Sequence, residues 1–173
     1  LHLCDKNLEN ISDYNNINNH TLLVDVCLAA QHEGQSINTH YQKYQAQYAS
    51  SVSPSQICTM LARSFADIGD IVRGRDLYLR DKGKRDKLED NLQKIFKMIQ
   101  QQNGTLKDLP LDAVREYWWE ENRETVWKAI TCNAGGYQYF RPTCSAEPLS
   151  QDKCHCINGD PPTYFDYVPQ YLR

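Results

Sequence analysis

The chain has 173 residues, a formal net charge of −3 and seven cysteines. That charge gives no global reason to expect nucleic acid or a membrane surface as partner. The sequence has no run of about 18 apolar residues, the least that a spanning helix needs. There is no signal-peptide pattern at Leu1 and no initial Met, so both ends are expected to be cuts within a larger protein. An odd number of cysteines leaves at least one without an internal partner, and the number points to an oxidising, extracellular setting. N-x-S/T triplets at Asn10, Asn19 and Asn103 agree with export.

In chain order, Thr21 is predicted to cap a helix through Leu22, Leu23, Val26 and Ala30, stopped at Gly34. Tyr41, Tyr44 and Tyr48 follow on one helix face. Ser53 and Pro54 read as the next helix start, since proline pre-sets φ at the first helical position. Cys58, Leu61, Phe65 and Ile68 form its apolar stripe. A third stripe, Leu88, Leu92, Ile95 and Ile99, ends at Gly104, and Asp112 is predicted to open a fourth helix.

That fourth helix holds Trp118, Trp119 and Trp127, all three tryptophans of the chain. Neighbours on a helix lie about 100° apart, so Trp118 and Trp119 must face different partners. A helix apolar on more than one side belongs between other elements, which makes this the central helix. Its charged residues are then paired as well as exposed, and Glu121 or Arg123 is expected to be a buried partner rather than a catalyst. Beyond it, residues 133–173 hold five of the seven prolines and three of the eight glycines, and read as a long loop-rich segment.

Chemistry-bearing motifs are few. Gly69 and Gly74 have phosphate-loop spacing, but Arg75 and Asp76 stand where lysine and a hydroxyl are required. Cys154-His155-Cys156 is too tight for the usual paired zinc ligands, so disulfides are expected there and no metal. Nothing matches H-E-x-x-H or G-x-S-x-G, so no catalytic residues, enzyme activity or cofactor are assigned. The run Arg80-Asp81-Lys82-Gly83-Lys84-Arg85-Asp86-Lys87 has five cations and two anions at a helix start. Such a patch suits a sulfated glycan. Without interleaved aromatics it does not suit nucleic acid.

Five ordered stretches resemble a known family: CDKNLENI, LLVDVCLAAQHEG, SFADIGDIVRGRDLYL, REYWWEENRETVWKAITC and PTYFDYVPQYLR. They are similar to the Duffy-binding-like domains, alpha class, of the Plasmodium falciparum variant antigen erythrocyte membrane protein 1. The resemblance implies an all-α, disulfide-stapled helical bundle. Residues 1–35 would end its first subdomain and 36–173 would form the second, with the third absent from this chain. It also implies a Cys58–Cys132 disulfide, which would stabilise by about 4 kcal/mol through the unfolded chain. Cys4 would look to a partner upstream, while Cys144, Cys154 and Cys156 fall in a variable segment without assigned pairs; Cys144 with Cys154 or Cys156 is the pairing to test there.

The function implied is a non-enzymatic adhesion module on the surface of infected erythrocytes, the extracellular part of a membrane protein under antigenic variation. Its implied partners in rosetting or cytoadherence are erythrocyte or endothelial receptors, heparan sulfate, complement receptor 1 and blood-group sugars. Arg80, Lys82, Lys84, Arg85 and Lys87 are the expected glycan contacts. The alternative is a structural spacer that orients a neighbouring cysteine-rich binding region.

Overall fold

The computed structural model describes residues 8, 11, 16–48, 56–77, 82–134, 154–156 and 158–173, with residues 82–86 described by their backbone alone. Four α-helices organise them: α1 (Asn19–Gln47), α2 (Gln56–Arg73), α3 (Lys82–Gln102) and α4 (Leu111–Ile130). Short 3-10 turns follow at Gly104–Leu106, Phe165–Tyr167 and Gln170–Leu172. The all-α fold expected from the sequence is the fold observed.

Helix α1 starts on a reciprocal cap one turn earlier than expected. The Asn18 carboxamide accepts from the backbone N–H of His20 and Thr21, while the Thr21 hydroxyl accepts from the Asn18 N–H at 2.8 Å. Thr21 is therefore the third residue of the helix rather than its cap. Nor does α1 stop at Gly34; it continues without a break to Gln47. Gly34 is where α1 crosses α4, for a Cβ there would lie 2.0 Å from the Ile130 carbonyl oxygen. Glycine serves close backbone approach here and not termination. The division expected after residue 35 thus falls inside one continuous helix.

Helix α2 ends conventionally. Gly74 adopts φ +73 after the last helical residue, the left-handed conformation that glycine takes without a Cβ clash. Arg115 caps the same end, its Nε donating to the Val72 carbonyl at 2.7 Å and its Nη2 to Ile71 at 3.0 Å. A cation there also complements the partial negative charge of the helix C-terminus. Helix α4 starts at Leu111, after Pro110, which gives no side-chain cap. Asp112 sits in the first turn, where its charge suits the dipole.

Helix α4 packs against α1, α2 and α3, the central position that its indoles require. Trp119 stacks at 5.1 Å on Phe65 of α2, which also meets the edge of Trp127. Trp118 turns the other way, edge-on to Phe96 of α3 at 5.9 Å. Such aromatic pairs add about 1 kcal/mol each beyond burial. Gly69 of α2 makes room for the indole, since a Cβ there would lie 2.7 Å from Trp119 Cζ2. Glu33 is also buried in this core, accepting from the Ser64 hydroxyl at 2.9 Å.

Candidate functional site

Two arrangements are candidates for function: a buried arginine–carboxylate clasp, and the surfaces around it. The clasp is built by the sequence TYFDY at 163–167 lying across α2 and α4. Asp166 is buried in the 3-10 turn Phe165–Tyr167, and its carboxylate meets two donors from α4. Trp119 Nε1 donates to Oδ2 at 2.9 Å, and Arg123 donates to Oδ2 through Nε at 2.8 Å and to Oδ1 through Nη2 at 2.9 Å. Arg123 also donates to the Thr163 carbonyl at 2.7 Å. Its guanidinium lies 5.4 Å from the ring centre of Tyr164 and 5.3 Å from that of Tyr167, a cation–π sandwich.

A second layer lies against the first. Arg73 donates to the carbonyls of Gly69 and Asp166 and to Asp70 Oδ1, and it stacks over Trp119 and Tyr167. Arg173 joins Asp67 and Asp70. Burial would lower the pKa of Arg123, but the hydrogen bonds and charge of Asp166 outweigh it and leave the pKa raised. Burial pushes the Asp70 carboxyl up, partly countered by Arg173 and Arg73. Tyr167 is raised as well, by burial first, with Arg123 opposing.

Chemically this cluster holds rather than reacts. Asp166 and Asp70 both spend their lone pairs on arginine and indole donors, which is what a buried charge needs to be tolerated. Arg123 is indeed a partner rather than a catalyst, half-buried against the fully buried Asp166, while Glu121 is exposed. Sequence reading missed Asp166. Its signal was an acid flanked by Phe165 and Tyr167 in a proline-bounded segment, but nothing local names a partner more than 40 residues away.

The disulfide expectation is corrected. Cys58 bonds to Cys154, with Cα atoms 5.7 Å apart, and not to Cys132. The reason is which side of the chain faces inward after α4. Thr131 and Ala134 turn into the core and leave Cys132 exposed and free. Trp127 Nε1 donates to the Cys154 carbonyl at 3.1 Å and holds that residue, at φ 60, over buried Cys58. Because the Thr131 hydroxyl gives its one proton to the Trp127 carbonyl, the His155 ring at 2.8 Å must donate to it through Nε2. The pairing of Cys144 with Cys154 is excluded in the same way. Cys156 is disulfide-bonded too, and Cys27 is free and half-buried, with burial raising its thiol pKa.

Of the expected glycan contacts, Lys87 is exposed on the second turn of α3. Lys82, Lys84 and Arg85 lie on the first turn with only their backbone described, and Arg80 lies outside the described residues. So do Cys4, Cys144, Ser53 and Pro54. No helix among the described residues is long and apolar enough to cross a membrane.

The molecule is a disulfide-stapled helical scaffold whose buried charges are committed to structure. The Duffy binding domain family model matches residues 1–173, and the chain belongs to that family. Among solved structures it is similar to the NTS-DBL1(alpha-1) domain of Plasmodium falciparum membrane protein 1 (PfEMP1) from the varO strain. That match has 42% identity and TM-score 0.82 over 99% of this chain and 40% of the other. It is also similar to the DBLb domain of a PfEMP1 bound to human ICAM-1, with 32% identity and TM-score 0.70 over 99% of this chain and 36% of the other. The chain therefore spans less than half the length of either. No curated protein matches it.

Proposed function

We propose that this chain is part of an adhesion module displayed on the infected erythrocyte, where it holds receptors on host cells. The observation that carries the reading is kinship with a domain bound to human ICAM-1, at 32% identity across 99% of this chain. The division of the molecule supports it: the buried charges hold the scaffold, and its surfaces remain for partners. Within that role, the run Arg80, Lys82, Lys84, Arg85 and Lys87 is the contact for sulfated glycans such as heparan sulfate. Rosetting and antigenic variation belong to the same reading.

The test is to coat beads with the full, oxidised chain and count bound uninfected erythrocytes with and without soluble heparin. Direct adhesion requires binding above bare beads, and heparin sensitivity assigns it to the basic run. Failure of a correctly folded chain to bind contradicts adhesion and leaves a spacer.

A further inference from the structure

One buried guanidinium joins the end of α2 to the start of α3. Arg115, near the start of α4, is only 4% exposed. On one side it donates to the Ile71 and Val72 carbonyls that end α2. On the other it holds the Glu89 carboxylate at two points, Nη1 to Oε1 at 2.6 Å and Nη2 to Oε2 at 3.1 Å. Gln93, one turn further along α3, donates to the same Oε1 at 3.2 Å. The guanidinium stacks over Phe96 of α3, 5.4 Å from the ring centre. Gly74 leaves it room, since a Cβ there would lie 2.8 Å from Nη1.

Lys82, Lys84, Arg85 and Lys87 stand on α3 immediately before this joint. Among the described side chains of α3, Leu88 is the first that is buried and Glu89 the first that makes an ion pair. The helix start, and with it the backbone that carries those four cations, is therefore aimed from residues 88 and 89. Arg115 is too deeply buried to touch a ligand, and Glu89 carries the wrong sign to attract a polyanion.

We infer that Arg115 and Glu89 are positioning residues for the glycan contact, holding the start of α3 so that its cations meet a sulfated chain already ordered. This role rests on the glycan reading above. A helix start that is held in place keeps the spacing of its cations, so less order has to be imposed when the ligand arrives. The sign of Glu89 separates positioning from plain attraction. A carboxylate beside a basic run lowers the local positive potential, so Coulomb attraction alone improves when that charge is removed. Positioning worsens when it is removed. At a surface screened by salt the Coulomb share of one charge is small, and positioning prevails.

The test measures the dissociation constant of a size-defined heparin oligosaccharide, per folded molecule, for the full oxidised chain and three variants. Glu89→Gln keeps the shape of the side chain and removes its charge. Arg115→Lys keeps the charge and loses the two-point bond. Thr131→Val, at the far end of α4, is the control for lost stability, since it removes a buried hydrogen bond to the Trp127 carbonyl. Glu89→Gln and Arg115→Lys are expected to bind about three- to tenfold more weakly, and Thr131→Val as the wild type does. Where Arg115→Lys fails to fold, Glu89→Gln decides. Equal or tighter binding by Glu89→Gln overturns the positioning role and leaves the glycan contact standing. An equal loss in Thr131→Val overturns it too, because stability then explains the effect. If the folded wild type binds no heparin, the glycan reading falls, and the positioning role with it.

Discussion

Tyr164 and Tyr167 lie around Asp166, and Tyr44 and Tyr48 lie at the end of α1; all four are substantially exposed. The first pair covers a guanidinium that is bound on its other edge by a buried carboxylate. The rings of the second pair lie against each other, with centroids 4.9 Å apart. Around Asp166 charges are numerous and every one named has a partner; along α1 charges have almost disappeared. The difference shows how one residue type serves two ends. Where buried ions must be held, aromatic faces supply cation–π contact and exclude water. At the end of α1 the two rings meet each other.

This contrast can be broken most severely at the staple beneath the clasp. Replacing Cys58 and Cys154 by serine opens a loop with a sequence separation of 96. The expected loss is about 4 to 5 kcal/mol, read as a shift of the urea midpoint. The matched change at Cys132 should leave stability within about 0.5 kcal/mol, as for a surface site. Next comes Asp166→Ala, which strands half-buried Arg123 and the buried Trp119 indole and should cost about 3 to 5 kcal/mol. Gly34→Ala follows at about 3 kcal/mol, because the new methyl meets backbone rather than a movable side chain.

The smallest effect is one of sign. Burial raises the Asp70 carboxyl above its ordinary value in the folded protein. The folded state therefore binds that proton more tightly than the unfolded state does. The contribution is fully present below the unfolded value, near pH 4, and is lost as pH rises through the raised value. Asp70→Asn does not titrate, so it should gain on the wild type as pH rises across that window, measured by urea unfolding at several pH values. A variant that instead loses ground would mean that the Arg73 and Arg173 pairs outweigh burial.

Parts of this arrangement were legible in the sequence. The spacing of Trp118 and Trp119 required two neighbours, and α4 lies between α2 and α3 for that reason. The periodicity of Tyr41, Tyr44 and Tyr48 was read correctly, but where the core stops is a matter of neighbouring elements, so the burial of the first and exposure of the others could not be seen. Gly34 looked like a helix end because glycine ends helices by local conformation; its role here is set by a helix nearly a hundred residues away. Cys132 and Cys154 are chemically equal partners for Cys58, and only the turn after α4 makes one face outward. Asp166 escaped notice for the same reason, since its donors come from another element.

The central claim is that the clasp around Asp166 holds the fold rather than making contact. One paired measurement tests it most directly: stability and erythrocyte binding per folded molecule, for the wild type and for Asp166→Ala side by side. The account requires the variant to lose stability and keep its binding. Loss of binding per folded molecule, or unchanged stability, would contradict it.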